Sequence, residues 1–230
     1  MWDAFYTQMF TYQGYKNVLE GLGATCQIAI GGLLIGIVIG TVLAVAKVVP
    51  KYKLLPKTCS ALADVYIALF RGTPMVVQLL LAYFVLMPAL GIPAQPLMVA
   101  IVAFGLNSGA YVSEIMRSGI GAVDRGQMEG GRALGLSYGT TMVRVVIPQA
   151  VKNILPTLGN EFITLVKETS VASFIAVTDL TKAFRDIGDA NYEYVIPYLC
   201  LALVYLVIVL GITLLIRLME RRLSQSDRDQ

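Results

Sequence analysis

Two glutamates and a threonine lie in one apolar stretch, at a spacing that puts them on one face of a helix. Glu161, Thr164 and Glu168 stand at i, i+3 and i+7 in the segment NEFITLVKETSVASFIAV. Carboxylates in apolar surroundings are costly, so they usually face the interior of a helix bundle or a water-filled path. This acidic face can bind an ammonium or guanidinium group, with Lys167 on a neighbouring face. The alternative is an internal charge network that only holds the helices together.

Arg71 and Thr73 form a second candidate group, in the sequence FRGTP ahead of a long apolar run. The Arg71 guanidinium can bind a carboxylate ligand, pair structurally with Glu114 or Asp64, or extend along an apolar surface into water. We favour the structural role. Thr73 precedes Pro74, and because proline suits the first turn of a helix, this pair is predicted to shape a helix start.

A third group of polar side chains lies further along the same apolar run. Asn107, Ser108, Tyr111 and Glu114 fall within the sequence NSGAYVSE. They are candidates for lining the same cavity as the acidic face. Polar side chains in apolar helices also hold neighbouring helices together by hydrogen bonds, and the sequence leaves both roles open.

Several kinds of chemistry are excluded by what the chain lacks. It has no histidine, and its three cysteines, Cys26, Cys59 and Cys200, stand far apart, so neither a metal site nor a disulfide framework is expected. No G-x-x-x-x-G-K-[ST] loop and no G-x-S-x-G elbow occurs. We therefore predict that the chain is not an enzyme, has no catalytic residues and binds no cofactor or metal.

Composition and apolar runs place these residues in a membrane protein. The chain has 57% hydrophobic and 14% charged residues and a mean hydropathy of +0.70, whereas soluble domains carry about 25% charged residues. Residues 21–46, 72–113 and 194–216 contain no charge, and a spanning helix needs about 20 apolar residues. The prediction is an all-α integral membrane protein of a single domain, 1–230. Its about five transmembrane helices are expected at 20–46, 62–87, 96–117, 151–178 and 194–217.

The uncharged run 72–113 is too long for one span and is predicted to be a helical hairpin with an extended tip. Its middle holds Pro88, Gly91, Pro93 and Pro96, which interrupt helices. Span 20–46 carries glycines every four residues, at 32, 36 and 40, a pattern that lets membrane helices pack closely. We favour packing within the chain over a contact between two copies.

Most of the 18 lysines and arginines lie in three segments that alternate with the spans. These segments are residues 47–57, the loop 118–150 with its flanks, and the tail from 217. By the positive-inside rule, they are cytoplasmic, so the N-terminus is outside and the C-terminus is in the cytoplasm. The charged segment 178–194 then lies outside and is expected to meet a partner protein, to cap the path, or to be a solvated loop.

The loop 118–150 is predicted to contain two short helices joined at a glycine. Met128, Ala133 and Leu134 suggest the first helix, Gly135 its end, and Gly139 the next turn. Such a pair can present one surface to a soluble partner. From the pattern alone, an amphipathic helix on the membrane surface is an equal alternative.

This loop resembles the EAA loop of the transmembrane subunits of bacterial ABC importers. The family pattern is E-A-A, three residues, G, nine residues, I, one residue, L-P. The corresponding residues here are Glu129-Gly130-Gly131, Gly135, Val145 and Ile147-Pro148. Glycine replaces both alanines, which weakens a helix by roughly 1 kcal/mol each.

Three further segments resemble the subfamily of these importers that carries polar amino acids. They are FRGTP at 70–74, NSGAYVSE followed by RSGI from 107 to 120, and KETSV at 167–171. The resemblance covers most of the chain. It implies the type I transmembrane domain of ABC importers, in the bacterial inner (cytoplasmic) membrane.

The resemblance also implies function and partners. The chain would be the permease subunit of an ATP-driven amino-acid uptake system, working with a second transmembrane subunit, two ATP-binding cassette subunits that bind ATP and Mg²⁺, and an extracytoplasmic amino-acid-binding protein. Membrane lipid would surround it, and no nucleic acid is involved. The residues implied for coupling to the ATPase are Glu129, Gly130, Gly131, Ala133, Leu134, Gly135 and Leu136.

A different class of function remains as the alternative: an ion-coupled secondary transporter or a channel, without an ATPase, in which the acidic residues would relay ions. A third possibility is a membrane anchor or assembly subunit with no transport path. An apolar fourth span would suit that role better than the charged one in this sequence. The sequence does not identify the amino acid, although Glu161 favours a basic or zwitterionic one.

Overall fold

The computed structural model describes residues 1–50 and 52–228, with side chains as far as 221, and this part of the chain contains helices and no strands. In chain order the α-helices are α1 (Trp2–Tyr6), α2 (Gly14–Val48), α3 (Leu54–Gly72), α4 (Met75–Leu81), α5 (Met87–Ala89), α6 (Pro96–Gly121), α7 (Arg125–Ala133), α8 (Tyr138–Thr141), α9 (Ile147–Glu168), α10 (Leu180–Asp189) and α11 (Val195–Arg228). π-Helical turns follow α1 (Thr7–Thr11), link α4 to α5 (Ala82–Leu86) and precede α9 (Met142–Val146), and a 3₁₀ helix (Thr169–Ile175) follows α9.

Helices α2 and α6 run in the same direction and pack at close range along the predicted glycine face. The residue numbers of the facing pairs increase together along both helices, so the helices are parallel. A Cβ on Gly36 would lie only 2.8 Å from Ser108 Cβ. The expectation that these glycines serve packing within the chain is confirmed. The facing pairs are Gly32 with Phe104, Gly36 with Ser108, and Gly40 with Val112.

Helix α9 runs antiparallel to α6 and brings the acidic face against it. Gly119, near the end of α6, lies against Ile154 near the start of α9. Ser108, in the middle of α6, lies against Glu161 further along α9. The core between these helices and α2 and α4 is apolar, with Ile28, Leu79, Phe104, Leu165 and Ile175 buried.

The predicted span 62–87 is not one straight helix. It falls on α3 and on the helix Met75–Ala89, which meet at 103°. The break is at Thr73 and Pro74, both with extended backbone. Proline has no N–H to continue the α3 hydrogen-bond pattern and disfavours helical geometry in the residue before it, so the chain changes direction here.

Among the described residues, three helices are long and apolar enough to cross a membrane, or four if the bent pair counts as one span. The three are Gly14–Val48, Pro96–Gly121 and Val195–Arg221. Helix α9 is less apolar because it carries Glu161, Lys167 and Glu168. It nevertheless lies antiparallel along α6. Its α-helical part ends at Glu168, inside the predicted span 151–178.

Candidate functional site

The acidic face of α9 contacts α6 through one hydrogen bond. The buried Ser108 hydroxyl donates to Glu161 Oε1 over 3.0 Å. Glu161 and Glu168 are half-buried, and among the described side chains neither has an ion-pair partner within 4.0 Å. Thr164 is exposed, and its hydroxyl donates to the Asn160 carbonyl oxygen of its own helix over 3.1 Å. The carboxylate of Glu161 therefore keeps acceptor capacity for a cationic group.

Glu114 does not join this acidic face; it lies in a separate charge cluster that links three helices. Lys47 Nζ of α2 lies 2.9 Å from Glu114 Oε1 and 3.0 Å from Asp64 Oδ1 of α3. Arg117 donates from its terminal nitrogen to Glu114 Oε2 over 2.7 Å. Glu114 thus has two cationic partners already, which suits a structural role better than ligand binding.

Arg71 does not form the predicted ion pair with Asp64 or Glu114. Those carboxylates pair with Lys47 and Arg117 instead. The guanidinium carbon of Arg71 lies 5.3 Å from the ring centroid of Tyr111. This cation–π contact explains why these two candidates come together.

The side chains of Thr73 and Asn107 both make hydrogen bonds that stabilise the break between α3 and α4. The Thr73 hydroxyl donates to the Leu69 carbonyl oxygen over 2.8 Å, and Asn107 Nδ2 donates to Gln78 Oε1 over 2.9 Å. Gln78 Nε2 in turn lies 2.8 Å from the Phe70 carbonyl oxygen and 3.0 Å from that of Thr73. These carbonyls have lost their helical partners, so the amides satisfy backbone groups that lipid would leave unpaired.

Gln78 is a residue that the sequence reasoning missed. The available signal was a single amide in the apolar run MVVQLLL, four residues after Pro74. A cavity of about 480 Å³ opens beside it and is lined by residues of α3, α4 and α6 and of the segment between α4 and α6. Its lining is apolar apart from Thr73, Gln78 and Gln95, and it does not include Glu161, Thr164 or Glu168.

The loop between α6 and α9 contains the predicted pair of short helices, α7 and α8. Asp124 caps α7 by accepting from the Gly126 N–H over 2.6 Å, and Ser137 caps α8 by accepting from the Thr140 N–H over 3.1 Å. Gly135 follows α7 with φ +81°, a left-handed conformation that glycine adopts without steric cost.

The end of α7 has the hydrogen bonds of a Schellman motif. The Leu136 N–H donates to the Gly131 carbonyl oxygen over 3.1 Å, and the Gly135 N–H donates to that of Arg132 over 3.0 Å. Arg132 also donates to the Leu136 carbonyl oxygen over 2.9 Å. This pattern fixes the direction of the chain after the short helix.

The two glycines that replace alanine in the EAA-like sequence have different surroundings. Gly131 is buried, and a Cβ there would collide with the side chain of Thr141, which is itself fully buried in the following helix. A Cβ on Gly130 would meet nothing within 4 Å. Glycine is therefore needed at 131 for the close approach of α7 and α8, but not at 130.

The remaining residues of α7 and its end form an exposed surface. Glu129, Ala133 and Gly135 are exposed, and Leu134 keeps 84% of its surface accessible. An exposed leucine beside a glutamate on a short, capped helix is a surface that a protein partner can cover. The structure brings Glu129, Gly130, Ala133, Leu134, Gly135 and Leu136 together there, while Gly131 faces inward.

The segment 178–194 is largely packed against the bundle. Asp179 caps α10 by accepting from the Lys182 N–H over 2.9 Å. The apolar side of α10, with Leu180, Phe184 and Ile187, packs on residues of α2 and α11. Burial raises the pKa of the Asp179 carboxyl. Of the roles considered for this segment, the plain solvated loop does not describe α10.

Comparison with known proteins identifies the family. Residues 32–225 match the model of the binding-protein-dependent transport system inner membrane component. The arginine transport system permease protein ArtQ of Bacillus subtilis (strain 168) is 40% identical over 210 residues, which cover 91% of this chain and 94% of that protein. The putative glutamine transport system permease protein GlnP of Rickettsia bellii (strain RML369-C) is 37% identical over 209 residues, covering 91% and 94%.

Solved structures agree. A crystal structure of an amino acid ABC transporter with histidines has a TM-score of 0.85 at 38% identity, covering 94% of this chain and 98% of that one. An inward-facing structure of the MetNI methionine ABC transporter has a TM-score of 0.68 at 18% identity, covering 94% and 96%, and shares the fold.

The chain belongs to the family of inner membrane components of binding-protein-dependent transport systems. It is a multi-pass permease subunit with the type I ABC importer transmembrane fold. In such systems the ATPase is a separate subunit, and a substrate-binding protein and a second permease complete the transporter. The ion-coupled alternative without an ATPase is not supported.

Proposed function

We propose that this chain forms the membrane path for an amino acid with a cationic side chain, and that Glu161 binds its ammonium or guanidinium group. The observation that carries the proposal is the Glu161 carboxylate, which Ser108 orients and no described cation neutralises. A carboxylate without a cationic partner is costly inside a membrane-spanning bundle, and an incoming cation would offset that cost. The likeness to the arginine permease ArtQ supports the same class of substrate.

The other residues of the acidic face have supporting roles in this proposal. Glu168, two helical turns further along α9 and also half-buried, would receive the cation as it moves along the helix. Thr164 lies between the two on the exposed side. Arg71, Thr73, Asn107, Tyr111 and Glu114 shape the surrounding helices through the contacts described above and do not bind the substrate.

The exposed surface of α7 transmits ATPase closure to the path. Its residues are Glu129, Gly130, Ala133, Leu134, Gly135 and Leu136, and Gly131 holds α7 against α8. Because α8 continues through a π-helical turn into α9, a rigid displacement of α7 would move the helix that carries Glu161. The partners in full are two ATP-binding cassette subunits, which bind ATP and Mg²⁺, a second transmembrane subunit, and an extracytoplasmic amino-acid-binding protein. The basic segments, and with them the C-terminus and α7, face the cytoplasm.

The substrate role of Glu161 is tested by Glu161→Gln in the whole transporter, reconstituted in proteoliposomes with its ATPase and binding protein. We expect arginine uptake to fall about tenfold, equivalent to about 1.4 kcal/mol of lost interaction, because the amide cannot offset the substrate's charge. ATP hydrolysis stimulated by the loaded binding protein should fall much less. The control is Glu20→Gln, an exposed glutamate of α2. Equal loss of uptake and hydrolysis would count against a ligand role.

The coupling role of α7 is tested by purifying the tagged chain gently from its membrane and identifying co-purifying proteins by mass spectrometry. Wild type should retain a P-loop ATPase, and Glu129→Arg should lose most of it, since the reversed charge would meet a cationic site. Glu20→Arg, the same reversal on an exposed residue far from α7, should retain it. Loss with both variants, or with neither, would remove Glu129 from the contact.

A further inference from the structure

The first residues of the chain form a short helical segment with two different faces. The N-terminal segment, Trp2–Thr11, consists of α1 and the π-helical turn that follows it. On one side, Phe5 and Met9 pack against the buried cluster of Leu180, Phe184 and Ile187, and Phe5 lines a small cavity together with Ile196 and Pro197 of the first turn of α11. This side fixes the segment to the end of the bundle where α2 and α11 begin.

The other side of the segment carries aromatic rings that are mostly exposed. Trp2, Tyr6 and Phe10 follow one another at four-residue spacing and are 70%, 62% and 55% exposed. The rings of Tyr6 and Phe10 lie 4.9 Å apart. These three residues, called the aromatic stripe below, are followed by the exposed Tyr12 and Tyr15. Water would be a poor environment for such a surface.

The turn into α2 holds the segment at an angle that the backbone fixes. Gln13 has φ +61°, a left-handed conformation, and the buried Gly14 comes so close to Gln8 that a Cβ would lie 2.8 Å from its carbonyl oxygen. The segment therefore does not continue the direction of α2, the spanning helix.

Two observations indicate what covers the aromatic stripe: the types of its residues, and the exposed apolar side chains at the same end of the bundle. Tryptophan and tyrosine are enriched at membrane–water interfaces, because their rings are apolar with one polar group. Asp3 is the one charged side chain between Trp2 and Tyr12. The two spans that begin at this end of the bundle also expose apolar side chains in their first turns, Leu19 of α2 and Leu199 and Leu203 of α11, so the stripe belongs to the same apolar end of the protein surface.

We propose that the N-terminal segment lies in the phospholipid headgroup region on the side of the membrane where α2 begins, with the aromatic stripe facing the lipid. Phe5 and Met9 then anchor it to the bundle, while the stripe sets the depth at which α2 enters the bilayer. The occupant of this surface is the bilayer itself, and neither a second copy of the chain nor a soluble protein covers it.

The test uses the natural fluorescence of Trp2, the single tryptophan of the chain. The assembled transporter is placed in lipid nanodiscs, and emission from partner subunits is removed by subtracting the Trp2→Phe transporter. Three quenchers are compared: phosphatidylcholine brominated near the headgroup end of its acyl chains, phosphatidylcholine brominated near the methyl end, and aqueous iodide. We expect the greatest loss of Trp2 emission with the first.

Each other result would overturn the proposal. Strongest quenching by iodide would place Trp2 in water, and strongest quenching by bromine near the methyl end would place it in the bilayer centre. No quenching by any of the three would mean that protein covers the stripe. A double variant, Tyr6→Ser with Phe10→Ser, should shift Trp2 quenching from bromine towards iodide. The control Tyr52→Ser, at an exposed tyrosine beyond the other end of α2, should leave quenching unchanged.

Discussion

Gly130 and Gly131 are neighbours in sequence, but an added methyl group is expected to stabilise the helix at 130 and to destabilise it at 131. At 130 an added Cβ has open space, so alanine would gain the helix propensity that glycine lacks, about 1 kcal/mol. At 131 the same methyl group would collide with Thr141, and overpacking of this kind costs about 1–3 kcal/mol. The sequence showed both glycines as departures from the family pattern; only the packing distinguishes them.

We therefore expect Gly130→Ala to slow backbone hydrogen exchange in α7 about fivefold, the factor that corresponds to about 1 kcal/mol. Gly131→Ala should accelerate exchange in α7 and α8, because the two helices must separate. Thr141→Ala, combined with Gly131→Ala, should restore part of the protection by removing the atoms in the way. Hydrogen–deuterium exchange with mass spectrometry of the purified chain measures all three. Slower exchange in both single variants would show that Gly131 is not under steric constraint.

At the same scale, sequence reasoning found candidate side chains but not their partners. Glu161 stood out because a carboxylate in an apolar stretch is costly. Its contact with Ser108 depends on how α6 and α9 are aligned, which no local pattern fixes. Arg71 shows the reverse case: two carboxylates were plausible partners, and in the fold Lys47 takes both, leaving Arg71 against Tyr111.

Among the elements, the bend between α3 and α4 departs most from the sequence-based expectation. The prediction of one span over 62–87 followed from an apolar run of suitable length, and Thr73-Pro74 was assigned only to a helix start. The same dipeptide ends α3 and leaves carbonyls that need donors. Gln78 and Asn107 supply those donors from α4 and α6. A hydropathy pattern indicates the length of a span. It does not reveal a break in the helix that side-chain amides stabilise.

Leucine is about the same size as glutamine, yet replacing Gln78 by leucine should destabilise the transporter. The carbonyls of Phe70 and Thr73 would lose a donor, and Asn107 an acceptor, in surroundings without water; an unmet buried group costs about 1–3 kcal/mol. We expect a lower midpoint of thermal aggregation in detergent, followed by size-exclusion chromatography. Asn107→Leu should give a smaller loss. Gln27→Leu, at an exposed glutamine of α2, is the matched control, and an equal midpoint for Gln78→Leu and Gln27→Leu would contradict the prediction.

For the whole molecule, the helical class, the membrane location and the short helices of the loop 118–150 followed from composition and spacing. The glycine face of α2 was also recognisable, because small residues every four positions have few other uses in a membrane helix. What the sequence could not give is which helix meets that face. The pairing of α2 with α6 places Gly36 directly behind Ser108, and Ser108 holds Glu161. A packing position in one helix thus supports the proposed substrate contact in another.

This chain of contacts predicts that a single methyl group in α2 will impair transport. In Gly36→Ala the new Cβ would lie 2.7 Å from Ser108 Oγ and 2.8 Å from Ser108 Cβ. Relief requires Ser108 to move, and with it the hydrogen bond to Glu161. Arginine uptake by the reconstituted transporter should fall several-fold, together with thermal stability, whereas Gly23→Ala, which meets nothing within 4 Å, should change neither.

A second substitution separates packing from the site. Ser108→Gly in the Gly36→Ala background removes the two side-chain atoms that the methyl group would meet and leaves only the backbone carbonyl carbon, at 3.2 Å, so thermal stability should largely recover. Uptake should not, because Glu161 has still lost its donor. If uptake recovers along with stability, Ser108 acts only as a packing residue, and the proposed link between the α2–α6 contact and the substrate path is wrong.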